Sequence, residues 1–111
     1  MKSFHIITFG CQMNEHDSER MTGILEARGC SVSDVGDADM IILNTCSIRE
    51  KAEQKFYSEL GRLRLLKAER PGLKIAVAGC IAQQEGANLF SRAPHVDMIF
   101  GPSDIAKLSD I

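Results

Sequence analysis

Five short runs rich in β-branched and aromatic residues alternate with segments of helical period, and this alternation constrains the fold more than any other feature of the chain. The runs are 3–9 (SFHIITF), 30–32, 40–43, 73–78 and 97–100. Strands separated by helices pair in parallel through right-handed crossovers, with helices on both faces of the sheet. For five such strands the common doubly wound order is 2-1-3-4-5. The prediction is an α/β fold, a three-layer sandwich of flavodoxin-like form with a five-stranded parallel sheet.

The intervening segments carry helix signals. Asn14 is read as an N-cap, with Glu15, Asp17 and Glu19 favoured by the dipole in the first turns. Met21, Ile24 and Leu25 form the apolar stripe of that helix, and Gly29 is a left-handed stop. Asp34, Gly36, Asp37 and Asp39 make a turn-rich connector. Ser47-Ile48-Arg49-Glu50 fits a capping box, after which Ala52, Phe56, Leu60 and Leu63 mark one buried helix face that ends before Pro71-Gly72. A shorter helix is expected over 82–92, and a last helical stretch from Gly101-Pro102-Ser103 to Ile111. His5 falls within the first strand and is read as a packing residue.

At 111 residues, 44% hydrophobic and 25% charged, the chain is expected to be one domain, 1–111, with a real core. The longest apolar run, 40–43, is far short of the roughly 20 residues that span a bilayer, and no secretory pattern opens the chain. A cytoplasmic location with no membrane association is the expectation. Net charge is −2, which gives no global reason to bind nucleic acid, yet 49–74 carries eight Lys/Arg against four Glu. This basic helix, 48–70, is read either as a solvated face or as a contact surface for RNA or a partner domain.

Three of the predicted strands run into a cysteine: Ile6-Ile7-Thr8-Phe9-Gly10-Cys11, Leu43-Asn44-Thr45-Cys46 and Ile75-Ala76-Val77-Ala78-Gly79-Cys80. In the order 2-1-3-4-5 these strands, 1, 3 and 4, are immediate neighbours, and ligands of open α/β sheets bind beyond the carboxyl ends of strands. With strands about 4.8 Å apart, three neighbouring ends span about 10 Å. The hypothesis is that Cys11, Cys46 and Cys80 hold an iron–sulfur cluster. Three thiolates on a 4Fe–4S cube leave one iron open, the arrangement that separates catalytic from structural metal sites. Separations of 35 and 34 residues match neither zinc fingers nor ferredoxin cysteine runs. Inert burial of all four cysteines is the competing reading, and a nucleophilic cysteine is a weaker one because no His or Asp is placed beside these thiols. Cys30, at a strand start and so at the opposite pole, is read as a small hydrophobe. Gln12, Asn14, Asn44, Thr45, Ser47 and Gln83 are read as caps and turn formers able to donate hydrogen bonds to cluster sulfurs.

Thr8-Phe9-Gly10-Cys11-Gln12-Met13-Asn14 with Asp17-Ser18-Glu19, then 44–52 (NTCSIREKA), then 79–86 (GCIAQQEG), closely resemble the N-terminal domain of the radical-SAM methylthiotransferases, in particular their tRNA branch. The resemblance implies an auxiliary 4Fe–4S cluster on Cys11, Cys46 and Cys80 that takes part in sulfur insertion at C2 of N6-isopentenyladenosine next to the anticodon. It also implies tRNA as partner, and a radical-SAM domain in cis that holds S-adenosylmethionine and a second 4Fe–4S cluster on a Cys-x3-Cys-x2-Cys motif. That motif is not in these 111 residues, so they are expected to be a domain that binds a cluster without completing the reaction, and no catalytic residue is assigned within them. The alternatives from other classes are a flavodoxin-like electron-transfer module, a phosphoacceptor module and a non-catalytic interaction domain. The first wants a phosphate-cradling loop where Gly10-Cys11-Gln12-Met13-Asn14 stands, and the second an aspartate where Cys46 stands.

Overall fold

A computed structural model describes residues 3–8, 12–45, 50–79 and 87–100. Five strands, β1 (Ser3–Thr8), β2 (Ser31–Val32), β3 (Met40–Thr45), β4 (Lys74–Gly79) and β5 (Met98–Phe100), form one sheet in the order β2-β1-β3-β4-β5. Every pairing is parallel. The helices are α1 (Gln12–Ala27), α2 (Glu50–Glu69) and α3 (Ala87–Arg92). The predicted fold class and strand order are those observed.

Parity along the central strands divides the core. Ile41, Leu43, Ile75 and Val77 join Phe56, Leu60 and Leu63 of α2 and Leu89 of α3 on one face. Met40, Ile42, Ala76 and Ala78 join Phe4, Met21, Leu25 and Cys30 on the other, the α1 face. Because successive side chains of a strand point to opposite faces, a fully apolar strand such as Met40-Ile41-Ile42-Leu43 feeds both layers at once. That is why β3 lies inside the sheet, while the two-residue β2, exposed on both its side chains, lies at the edge.

The end of α1 is built as expected. Gly29 has φ of +85°, its N–H donates to the Glu26 carbonyl at 3.0 Å, and the Cys30 N–H donates to the Leu25 carbonyl at 3.1 Å. This is a Schellman closure, in which the residue after the glycine commonly makes an apolar contact with the helix. Cys30 fills that place, buried in the same core as Leu25. His5 is half-buried and its Nδ1–H donates to the Ser33 carbonyl at 2.9 Å, a structural role as read from the sequence.

Three boundaries differ from expectation. Helix α1 begins at Gln12, so Asn14 lies inside its first turn and not at its cap; Gln12 and Met13 are good helix formers and extend the helix backward. Strand β3 continues through Asn44 and Thr45. Leu73 precedes β4, which instead runs on to Gly79. Of the expected capping box at 47–50 only Glu50, the first residue of α2, is described; 47–49, the start of the 82–92 helix and the final helical stretch lie outside the described residues.

The amino-terminal pole of the sheet is tied by side chains. Asp39 accepts from the Ser3 N–H through Oδ2 at 3.2 Å and from the Lys74 N–H through its carbonyl at 3.0 Å. Asp97 accepts from the Ile75 N–H at 2.9 Å and from Lys67 Nζ at 2.5 Å. Arg70 donates to the carbonyls of Gly36 and Ala38 at 2.9 and 2.8 Å. Part of the basic segment is therefore structural, since Arg62 also pairs with Glu59, whereas Lys55, Arg64 and Lys74 are exposed.

Candidate metal centre

The register fixes which strand ends meet. Thr8 of β1 lies opposite Asn44 of β3, Asn44 lies opposite Ala78 of β4, and Thr45 lies opposite Gly79. The carboxyl ends of β1, β3 and β4 are thus level and adjacent. Cys46 is the residue after Thr45, Cys80 the residue after Gly79, and Cys11 the third after Thr8. All three cysteines lie outside the described residues, as do Ser47 and Gln83; the described structure is the backbone leading to them.

Asn44 and Thr45, read from the sequence as caps and turn formers, are strand residues, each 1% exposed. The reason is tertiary. Strands on both sides of β3 satisfy its backbone, and the two polar side chains find partners where they are buried. The Thr45 hydroxyl donates to the Ala78 carbonyl at 2.8 Å, bridging β3 to β4. The Asn44 amide donates through Nδ2 to the Ser18 hydroxyl of α1 at 2.9 Å, and Ser18 Oγ lies 2.7 Å from Thr8 Oγ1. Ser18 stands on α1, six residues beyond its first residue, and bridges the ends of β1 and β3. Sequence reasoning gave Ser18 no structural role. The signals for it are that Thr8, Ser18 and Asn44 are small polar residues and that all three fall within the segments that carry the family resemblance.

The described strand-end residues Thr8, Asn44, Thr45, Ala78 and Gly79 contribute hydroxyl, amide and backbone groups and no carboxylate or imidazole. Thiols supplied just beyond them would form an all-sulfur set, the kind that selects iron–sulfur clusters over hard cations. Among the described residues no group of three or more His, Cys, Asp or Glu side chains is gathered for a metal. A depression of about 350 Å3 runs along β1 between α1 and β2, lined by Phe4, Ile6, Thr8, Ser18 and Val32 among others. It reaches the β1 strand end through Thr8 and Ser18, and among the described residues none from β3 or β4 lines it.

Among the described residues the two groups with displaced pKa values, His95 and Asp97, sit at the opposite pole. Burial lowers the pKa of His95, and nearby Lys67 and Arg64 lower it further, against the opposing hydrogen bond to Leu60. Its Nε2–H donates to the Leu60 carbonyl at 2.8 Å. Asp97 is raised by burial, but the Lys67 ammonium and the Ile75 N–H outweigh this and its pKa is lowered overall.

The chain matches the model of the uncharacterized protein family UPF0004 over residues 3–101. It is 53% identical, over its whole length, to a protein of Cupriavidus taiwanensis named tRNA-2-methylthio-N(6)-dimethylallyladenosine synthase, of which it covers 25%. Proteins of the same name from Polynucleobacter asymbioticus and Burkholderia ambifaria are 55% and 54% identical over 100% and 96% of the chain, which covers 25% and 24% of them. The chain therefore spans about a quarter of the length of these curated relatives. Among the described residues no helix is long and apolar enough to cross a membrane.

Proposed function

We propose a function from one premise: the chain belongs to the UPF0004 family. It acts as the cluster-bearing domain of a tRNA-2-methylthio-N(6)-dimethylallyladenosine synthase, with Cys11, Cys46 and Cys80 as ligands of an auxiliary 4Fe–4S centre. The observation that carries this reading is the level, adjacent placement of the carboxyl ends of β1, β3 and β4, the strands that lead into those cysteines.

When bound, the centre would supply an open iron for the sulfur chemistry at C2 of the modified adenine. The chain's own residues hold and tune it. Thiolate is the form of cysteine that binds iron. The hydroxyl and amide groups of Thr8, Asn44 and Thr45 keep the rim polar without adding negative charge beside three thiolates. In the whole enzyme a radical-SAM domain in cis would hold S-adenosylmethionine and a second 4Fe–4S cluster, and tRNA in the cytoplasm would be the substrate. The 111-residue chain alone is then expected to bind a cluster and to turn over no tRNA.

Anaerobic reconstitution with iron and sulfide, followed by absorbance and Mössbauer spectra, tests this. Cys11→Ala, Cys46→Ala and Cys80→Ala should each abolish a stable cluster, and Cys30→Ala should leave it intact. Equal effects of all four substitutions, or of none, would overturn the assignment.

A further inference from the structure

The proposed ligands follow strands whose backbones are already paired, yet the three ends carry a second set of bonds made by side chains. The Ser18 hydroxyl joins Thr8 Oγ1 at 2.7 Å and Asn44 Nδ2 at 2.9 Å, tying β1 to β3 through α1. Thr45 Oγ1 donates to the Ala78 carbonyl at 2.8 Å, tying β3 to β4. In sequence Thr8 is three residues before Cys11, Asn44 two before Cys46 and Ala78 two before Cys80. A belt in two parts thus crosses the three strand ends shortly before the cysteines: Thr8, Ser18 and Asn44 on the α1 face, and Thr45, the next residue of β3, bonded to the Ala78 carbonyl.

Such a belt adds little that the sheet needs, because parallel ladder bonds already hold the backbones together. What it adds is fixed geometry. Asn44 and Thr45 are buried, so their bonds form in a low-dielectric setting, where they are stronger and less tolerant of displacement. An alanine at 18 would fill much of the same space but leave the β1 and β3 ends linked only by their ladder. Groups behind metal ligands act in this way, orienting the ligands without touching the metal.

We propose that Ser18 is a positioning residue, whose hydroxyl fixes the β1 end against the β3 end while Thr45 fixes β3 against β4, so that together they set the separation of the three cysteine-bearing strand ends and hold the metal centre in the chain. This inference rests on the function proposed above.

Its test is the rate at which a chelator strips iron from the anaerobically reconstituted chain, read beside the thermal midpoint of the metal-free chain. Ser18→Ala is expected to speed iron release about tenfold, the lower end of the range for groups behind metal ligands, with the metal-free midpoint lowered only as far as the loss of one hydrogen-bonded hydroxyl requires. Ser18→Thr, which keeps the hydroxyl, should return release to the wild-type rate. Thr45→Val, nearly the same shape, should speed release as Ser18→Ala does, and it keeps the question answerable if Ser18→Ala folds poorly. Wild-type release from both Ser18→Ala and Thr45→Val, or Ser18→Thr as fast as Ser18→Ala, overturns the positioning role and leaves the cluster assignment standing. A wild-type chain that takes up no iron overturns both, and so distinguishes the two failures.

Discussion

The two poles of the sheet are built from different bonds. At the amino-terminal pole charged side chains join the elements: the Asp39 carboxylate holds the start of β1, Asp97 joins β5 to β4, and Arg70 anchors the connector before β3. At the carboxyl pole the described side-chain bonds are made by neutral groups, Thr8, Ser18, Asn44 and Thr45. Charged hydrogen bonds are the stronger class, and a carboxylate beside a cluster of thiolates would repel it. The contrast teaches that, among the described residues, the ionic cross-links between elements gather at the amino-terminal pole, while the bonds that tie the carboxyl ends of β1, β3 and β4 are made by neutral side chains.

The sharpest way to break that contrast is to damage what both poles share. Phe56→Ala removes a fully buried ring from the α2-side core and should cost about 3–5 kcal/mol, collapsing both poles together in urea denaturation. A variant that loses iron uptake but not stability would show that α2 serves the rim more than the core.

Next in size is a strike at the ionic pole. Asp97→Ala removes the acceptor of both the Ile75 N–H and Lys67, and charged hydrogen bonds of this kind contribute about 1.5–3 kcal/mol. It should lower the urea midpoint by a corresponding amount and leave iron uptake unchanged, because the lesion lies at the far end of β4 from Gly79. Reduced iron binding at full stability would erase the proposed division between poles.

Cys30→Ala should have a smaller effect, about 1 kcal/mol for trimming one buried side chain. Its value lies in direction, since Cys30 closes α1 and packs with Leu25 at the opposite pole from the proposed ligands. Thermal unfolding of the metal-free variant would register the change, and iron content should not.

The smallest predicted effect is a pH dependence. His95 has a pKa lowered from 6.5, so the unfolded chain takes up a proton before the folded chain does. Its contribution is fully present above about pH 6.5 and is lost as pH falls from there to the lowered folded value. Asp97, lowered from 3.8, adds a second loss below that pH as its ion pair with Lys67 is protonated away. His95→Gln should flatten the first part of the stability profile and leave the second. An unaltered profile would remove His95 from the ionic pole.

Much of this was legible in the chain. Alternating β-rich and helical segments specified the sheet order, the stripe Phe56-Leu60-Leu63 specified the buried face of α2, and Gly29 specified the turn after α1. What the sequence misassigned was polar. Asn44 and Thr45 have the composition of a turn, and only neighbours on both sides make them strand. Ser18 lies in a helix 10 residues from Thr8 and 26 from Asn44, and no local pattern joins them.

By itself, then, the sequence determined the fold class and which strands lead into a cysteine, because hydrophobic periodicity is a local property that each segment carries alone. The tertiary structure decided which polar groups became a belt across the strand ends and which became exposed turns. Burial and hydrogen-bond partners are conferred by neighbours distant in sequence, and only the folded sheet supplies them.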